Sequence, residues 1–413
     1  MKYTYFYLFT LFIGVQINGQ ISDQQNKDFF FITPEILVGK TMEANTFFPK
    51  TNLQNGFFLN LGKTNNSNEN EWAYRLRNPK TGISLGITDF GNIDKVGVAY
   101  TVMPFVEFGL FKKKSQLFNL HIAFGASYLD TQFDPDTNPF NKAITTKVNW
   151  SYRSFLYYDF MRRNKINWRL GVGYIHHSNG HTRLPNQGLN SFLLSISGMI
   201  NTKPIAPKTK SFLQEPERKR TSQMYFSVRG GIGQNVLSEV FNEKKEVYSG
   251  AFAIGKIINK TFKYGGGFYY RFYEHYYDYI KNDGELVVEQ FPFFKNNPVR
   301  YASNYGFFGT AELFLGHVGM EFEIGLNISK PFYKIDWQLS QGKTYNEVYV
   351  PAELDWYYEI KRTISSRMGL KLYLINTNKT PKNNLFISAH INANLGQADF
   401  SELSLGYVHR LDI

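Results

Sequence analysis

Polar and apolar residues alternate along most of the chain, in segments that are separated by Gly, Pro, Asn and Asp. An alternation with a period of two is typical of β-strands that have one apolar and one polar face. The segments that share it are 29–40, 95–111, 117–129, 145–160, 166–178, 192–200, 224–236, 248–258, 262–273, 305–314, 318–328, 345–359, 365–375, 385–394 and 402–409. No comparable helical periodicity is visible, so we predict an all-β fold.

The aromatic segment 262–280 (FKYGGGFYYRFYEHYYDYI) favours a membrane barrel over a soluble sandwich or propeller. Transmembrane barrels carry aromatic girdles at both interfaces, and their strands are about ten residues long. The mean hydropathy of −0.34 is compatible with a barrel, because every second residue faces a polar interior. We predict an antiparallel transmembrane outer-membrane β-barrel, either one barrel of about 14–16 strands or two eight-stranded halves.

The composition excludes several other classes of protein. The 413 residues include no Cys, so a disulfide scaffold, an iron–sulfur cluster and thiol catalysis are ruled out. Aromatic residues make up 17% and charged residues 19%, which excludes a disordered chain. Beyond the N-terminus no window of about 18 uncharged apolar residues predicts a membrane-spanning helix.

The chain divides into four predicted segments. Residues 1–20 have the layout of a signal peptide, with Lys2, an apolar stretch and a short polar end, and predict export to the outer membrane of a Gram-negative cell. Residues 21–201 form a first barrel region. Residues 202–221 contain three Pro and a run of basic residues, which predicts a linker. Residues 222–413 form a second region that we interpret as a diverged duplicate.

The segment 174–190 (YIHHSNGHTRLPNQGLN) contains three of the eight His residues. On the preceding strand, His176 and Ser178 share a face with Trp168, Leu170 and Val172. That face is apolar, so His176 and Ser178 are predicted on the lipid side, near the membrane boundary. A Ser and a His two residues apart on one face are the residue types of a nucleophile and its general base.

Three further residues bear on this chemistry. Asn190 lies on the apolar face of the next strand, and in a hairpin it comes within cross-strand reach of His176 or Ser178. His177 is predicted to face the lumen and His181 to be a solvated loop residue. Because His176 and His177 point to opposite faces, a metal site formed with His181 is not favoured, and neither a metal nor a cofactor is expected.

At these residues the chain resembles the outer-membrane lipid A 3-O-deacylases, the PagL-like proteins, sometimes labelled acyloxyacyl hydrolases. Their motif is His-x-Ser-Asn, then Pro-Asn-x-Gly, then an acidic residue twelve positions after the Ser. Residues 176–179 (HHSN) and 185–188 (PNQG) match, and the similarity is strongest over 95–200. The resemblance implies a serine esterase with Ser178 as nucleophile and His176 as general base. It implies oxyanion stabilisation by Asn179, Gly180 and Asn186.

The acidic residue of the motif is replaced here by Asn190. An amide can accept the imidazole N–H but supplies no charge, so the resemblance leaves the rate in question. Asp159 is a poor substitute, because it is expected at the other end of the barrel wall. In the second half, His390 and Asn392 lie near the corresponding place, but no Ser stands at the nucleophile position.

The sequence therefore predicts an outer-membrane esterase that acts on lipid A in lipopolysaccharide. The excess of 46 Lys and Arg over 34 Asp and Glu suits phosphorylated head groups. The alternative is a non-catalytic barrel, either a channel or a scaffold. A membrane-embedded protein without a nucleic-acid partner is expected, and the oligomeric state is not predicted.

Overall fold

The computed structural model describes residues 28–44, 48–111, 117–202, 218–345, 348–350 and 352–411. The predicted signal peptide and most of the predicted linker lie outside the described residues. Within the described residues, sixteen strands close into two antiparallel barrels of eight strands each. The prediction of two eight-stranded halves is confirmed, and the alternative of one larger barrel is wrong.

The first barrel comprises β1 (Phe30–Met42), β2 (Gln54–Thr64), β3 (Lys80–Asp89), β4 (Val98–Gly109), β5 (Phe118–Leu129), β6 (Val148–Arg163), β7 (Ile166–Ser178) and β8 (Leu189–Asn201). It closes where β8 pairs with β1, with Ile36 opposite Ile196. We call the end that carries the β7–β8 loop the Ser178 end, and the opposite end the linker end.

The second barrel comprises β9 (Ser222–Asn235), β10 (Lys245–Ile258), β11 (Phe262–Tyr273), β12 (Ser303–Leu315), β13 (Val318–Ser329), β16 (Ile364–Tyr373), β17 (Asn383–Asn394) and β18 (Gln397–Arg410). It closes where β18 pairs with β9. The strands β14 (Lys343–Tyr345) and β15 (Val348–Val350) form a separate small sheet.

Short helices lie in the connections between the strands. They are α1 (Glu71–Arg75), α2 (Glu274–Lys281), α3 (Glu285–Gln290), α4 (Pro298–Tyr301), α5 (Tyr333–Gln341) and α6 (Trp356–Thr363), with 3₁₀ turns at Pro292–Asn296 and Thr377–Lys379. None of the helices found in the described residues is long and apolar enough to cross a membrane.

Fourteen of the fifteen predicted strands correspond to barrel strands. The predicted strand 345–359 is wrong, because this segment is divided between the small sheet and α6. The strands β2 and β3 were not predicted. In β2 the neighbours Phe57 and Phe58 are both apolar, although Phe57 is exposed and Phe58 is buried. Adjacent apolar residues on opposite faces hide the alternation on which the prediction depends.

Apolar side chains cover the outer walls, whereas the lumens are filled with ion pairs. In the first barrel Arg153 lies 2.6 Å from Glu35, and Arg169 lies 2.8 Å from Glu107. The second barrel holds similar buried pairs, Arg367 with Glu321 at 2.8 Å and Lys263 with Glu312 at 2.8 Å. A polar interior with an apolar exterior is the arrangement of transmembrane β-barrels.

The interpretation of segment 262–280 as an aromatic girdle is wrong for the members that are buried. Tyr264 and Phe268 are exposed on the outer wall of the second barrel. Tyr273 and Tyr276 are buried, with their rings stacked 4.5 Å apart, in a cluster at the Ser178 end. The chain turns into α2 after Tyr273, so the period of two ends there and these aromatic residues form a core.

Asp336 on α5 gives this cluster a predicted dependence on pH. Burial, followed by the charge of Asp399, raises the pKa of Asp336 to about 7, and Lys330 opposes the shift. The folded state therefore favours the neutral acid. Stability is complete below the unfolded pKa of about 4 and falls as the pH rises through 7. Asp336→Asn should raise stability at pH 8 by on the order of 2–4 kcal/mol and leave it unchanged at pH 4.

The measurement is the thermal unfolding midpoint of the purified protein in detergent at both pH values. Asp94→Asn is the matched control, because Asp94 is exposed in the β3–β4 loop. Equal effects of the two substitutions at pH 8 would contradict the assignment.

Candidate active site on the outer wall of the first barrel

His176 and Ser178 lie on the outer face of β7. They continue the row of Leu170 and Val172, which are 48% and 53% exposed, so this face is the apolar outer wall of the barrel. Ser178 is the last residue of β7, and it is buried beneath the β7–β8 loop, whereas His176 is half-buried. The alternation of the strand therefore places both side chains outside the lumen, at the boundary of the apolar wall.

Asn190 stands opposite His176 in the pairing of β7 with β8. The Nδ1 atom of His176 lies 2.8 Å from Oδ1 of Asn190. An oxygen acceptor at this position requires the imidazole proton on Nδ1, which leaves the lone pair of Nε2 free to act as a base. The Tyr174 hydroxyl donates to the same Oδ1 atom at 2.6 Å. Tyr174 thus supports the orientation in which Asn190 presents oxygen to the imidazole.

Two donors from the β7–β8 loop reach the Ser178 hydroxyl. The side-chain amide of Asn186 donates to Oγ at 2.9 Å, and the Gly180 N–H donates at 3.2 Å. The Asn179 N–H donates to Oδ1 of Asn186 at 3.2 Å, so it orients that amide. The Asn179 side chain donates to the Arg183 carbonyl at 2.7 Å and is directed into the loop. Gly180 and Asn186 are therefore the groups at the hydroxyl, and Asn179 acts on it through Asn186.

Among these described residues, no hydrogen bond joins His176 to Ser178. The Ser178 hydroxyl accepts hydrogen bonds from Asn186 and Gly180 instead. His176 precedes Ser178 by two residues on the same face of β7. Because residues two apart on a strand point to the same face, the hydroxyl and the imidazole lie on one side of β7. Catalytic hydrogen bonds commonly form only when the substrate is bound.

Glycine is required at two positions of the β7–β8 loop. Gly180 and Gly188 have φ of +66° and +73°, a region that other residues rarely adopt. A Cβ on Gly188 would lie 3.1 Å from Cε1 of His176. A Cβ on Gly180 would lie 2.1 Å from the Ser401 hydroxyl of the second barrel. The loop therefore packs against both the imidazole and the neighbouring barrel.

The other residues considered from the sequence lie elsewhere. His177 is buried in the lumen, where its Nδ1 lies 2.8 Å from the Ser151 hydroxyl. Asp159 lies towards the linker end and accepts from Arg169 Nε at 3.0 Å. The prediction that His181 is solvated is wrong: it is half-buried, burial lowers its pKa, and its carbonyl accepts the Val236 N–H at 3.2 Å. No metal-binding group of three His, Asp or Glu occurs among the described residues.

The second barrel has a different arrangement at the corresponding place. His390 and Asn392 face its lumen, where Asn392 donates to Glu402 at 2.7 Å and His390 lies 3.2 Å from Glu321. The strands β17 and β18 are joined by Leu395 and Gly396 alone. No counterpart of the long β7–β8 loop is therefore present there.

Sequence reasoning missed Tyr174 and Ser401 as members of the site. Tyr174 shares the face of His176 and Asn190, so the alternation of β7 was a signal that could have identified it. Ser401 comes from the last strand of the other barrel, and nothing in the local sequence indicates its position.

The fold and the site define an antiparallel β-barrel protein with serine, histidine and asparagine grouped on an apolar outer wall. Residues 43–197 match the family model of the lipid A 3-O-deacylases (PagL), which confirms the resemblance that the motif predicts. The match begins earlier than residue 95 and covers β2 to β7 with most of β8. The second barrel lies outside it.

No curated protein sequence matches the chain. Among solved structures, Pseudomonas aeruginosa OccK5 (OpdH) aligns with 94% of this chain and 98% of its own, at 8% identity and a TM-score of 0.19. An outer membrane channel from Pseudomonas putida F1 aligns with 94% of this chain and 97% of its own, at 8% identity and a TM-score of 0.16. Scores this low carry no inference about function.

Proposed function

We propose that the protein is an outer-membrane serine esterase that removes an ester-linked acyl chain from lipid A. The observation that carries the proposal is the 2.8 Å contact between His176 and Asn190, beside Ser178, on the lipid-facing wall of the family-matching barrel. Lipid A lies in the outer leaflet with its acyl chains in the membrane, so an enzyme acting on it needs a site that opens sideways into lipid.

The reaction is acyl transfer to Ser178 followed by hydrolysis. Oγ of Ser178 attacks the ester carbonyl carbon and gives its proton to Nε2 of His176. The ester C–O bond then breaks, and the imidazolium returns the proton to the departing sugar oxygen. Water repeats the sequence at the acyl-serine, which releases a fatty acid and restores the Ser178 hydroxyl. The steps balance without a cofactor.

We assign stabilisation of the oxyanion to the two donors that bind the Ser178 hydroxyl in the absence of substrate. When Oγ turns towards His176, the Gly180 N–H and the Asn186 amide are released from it. Both then lie beside the position where the carbonyl oxygen gains charge, and preorganised donors of this kind are usually the largest single contribution to catalysis. Arg183, exposed in the same loop, is placed to attract a phosphorylated head group.

The lumens argue against the alternative of a channel. Side chains can fill the interior of an eight-stranded barrel. The buried pair of Arg153 and Glu35 lies in the first lumen, and Arg367 lies between Glu321 and Glu402 in the second. A scaffold remains the competing function that the experiment must separate from the esterase.

The test is mass spectrometry of lipid A from Gram-negative cells that express the protein. Loss of one hydroxyacyl group relative to cells with an empty vector supports the proposal. An unchanged lipid A profile, with the protein folded in the outer membrane, would overturn it in favour of the scaffold.

Tyr174→Phe tests the positioning of Asn190. Removing the hydroxyl frees the Asn190 amide to rotate and donate to His176, which would place the imidazole proton on Nε2 and block the base. We expect kcat to fall about tenfold to a hundredfold with little change in KM, because a single hydrogen bond between uncharged groups orients the Asn190 amide. Tyr158→Phe, on the outer wall of β6 opposite Leu170, is the control. Equal effects on kcat and KM would contradict a positioning role.

A further inference from the structure

An apolar groove of about 320 Å³ lies between the outer walls of the two barrels. It opens sideways, and both barrels contribute side chains to it. Its principal lining residues are Phe124, Tyr152, Ala311, Phe322, Met368 and Leu370. Because the walls that form it face the hydrocarbon of the bilayer, the groove lies at membrane depth.

The groove is the immediate neighbour of the candidate active site. Strand pairing sets Phe124, Tyr152, His176 and Asn190 side by side in one row across four strands. Paired strands lie about 4.8 Å apart, so Tyr152, which lines the groove, is the direct cross-strand neighbour of His176. In the next row, towards the Ser178 end, Trp150 stands opposite Ser178.

The two barrels are joined above the groove, at the Ser178 end. The Trp150 Nε1–H donates to the Ser401 hydroxyl at 3.0 Å, and that hydroxyl lies 3.3 Å from the Gly180 carbonyl. Leu184 and Asn242 exchange two hydrogen bonds of 2.9 and 2.6 Å nearby. These contacts close the groove at the level of Ser178, so the groove extends from the site towards the membrane interior.

The groove is also closed at the linker end. Trp72 of α1 and Leu76, which follows α1, pack there with Phe262 and Leu313 of the second barrel. Arg75 adds a hydrogen bond of 3.1 Å to the Arg218 carbonyl. The space between the barrels is therefore bounded above and below, and its lateral opening faces the bilayer.

The chemistry of the lining selects a hydrocarbon occupant. The two acidic residues beside the groove, Glu312 and Glu321, turn into the lumen and pair there with Lys371. The exposed part of the groove is almost entirely apolar, and water in it would find few partners. The volume is at the lower end of the range for ligand pockets, about 300–1,000 Å³, and suits a slender tail rather than a sugar head group.

We propose that this groove holds the hydrocarbon chain of the ester whose carbonyl is attacked by Ser178. The second barrel then forms one wall of the acyl-binding site and sets the preferred chain length, although none of its described residues forms a matching catalytic group. The inference rests on the proposed esterase function and extends it to residues outside the family-matching segment.

Ala311→Trp tests the groove by filling it from the second barrel, on an exposed face where the larger side chain needs no lumen space. The measurement is kcat/KM for p-nitrophenyl esters of butyric and lauric acid with the purified full chain. We expect the laurate-to-butyrate ratio to fall at least tenfold. Ile254→Trp, on the outer wall away from the groove, is the matched control and should leave the ratio unchanged. An unchanged ratio in Ala311→Trp would overturn the proposal.

A second measurement does not depend on turnover. A lauroyl ester with a diazirine at its tail is photo-crosslinked to Ser178→Ala, and the labelled peptides are mapped by mass spectrometry. Labelling of β13 and β16, reduced by adding Ala311→Trp, supports the groove. Labelling confined to β7 and β8 overturns it. Wild-type hydrolysis no faster than that of Ser178→Ala would reject the esterase, while the crosslinks still decide whether the groove binds the chain.

Discussion

Replacement of Ser178 by Ala should abolish removal of the acyl chain from lipid A, with kcat reduced at least about 10³-fold. The expected loss is large because Ser178 forms the covalent bond, and no other group at the site can replace it. Removal of the nucleophile in a serine protease costs about 10⁶ in kcat. The measurement compares lipid A by mass spectrometry in cells that express wild type and variant at matched levels.

The matched control for Ser178→Ala is Ser154→Ala. Ser154 lies on the outer wall of β6 opposite Tyr174, so the exchange is chemically identical and lies on the same wall. It should leave the lipid A product unchanged. Deacylation by Ser178→Ala at the wild-type rate would show that the nucleophile is misassigned. Loss of activity in both variants would indicate that substitutions on this wall disturb the protein as a whole and do not identify the nucleophile.

Exchange of Asn190 for Asp should raise kcat by at least tenfold, towards a limit of about 10⁴. In a serine protease, replacing the triad carboxylate by an amide lowers kcat about 10⁴-fold, and this substitution is the reverse. A carboxylate at Asn190 keeps both acceptor contacts, 2.8 Å to His176 and 2.6 Å to the Tyr174 hydroxyl. It also adds a negative charge that stabilises the imidazolium formed during the attack.

The comparison for this prediction is Asn190→Ala, which removes the acceptor as well as the charge. We expect its kcat to fall below that of wild type, because nothing then fixes the imidazole proton on Nδ1. The rates are followed with the same laurate ester over a range of concentrations. A lower rate for Asn190→Asp than for wild type would show that the site operates with a neutral acceptor and that the carboxylate is not its missing part.

The predictions from local sequence agree with the structure where the face that a residue occupies depends on a single strand. Alternation along a strand is a property of the backbone, so residues two apart share a face whatever the partners are. That rule alone places Ser178 beyond Val172 on the outer wall and turns His177 inwards. It also predicted the bounds of β7, whose alternating run ends at Asn179 and Gly180.

The helices and buried aromatic residues between strands could not be obtained this way. The segment 345–359 was predicted as a strand because it is rich in Tyr, Val and Trp, which favour strands unless packing overrides them. α6 forms there and buries Tyr358 against Tyr333 of α5, with the rings 5.8 Å apart. Tyr273 and Tyr276 likewise belong to a core whose members come from separate connections.

The sequence by itself determined an all-β chain with a serine, a histidine and an asparagine on one apolar face, because these features depend on neighbours along one or two strands. Only the tertiary structure decided that the strands close as two barrels rather than one. Closure depends on hydrogen bonds between β1 and β8 and between β9 and β18, which are remote in sequence. The same long-range packing brings Ser401 to Gly180 and creates the groove beside His176.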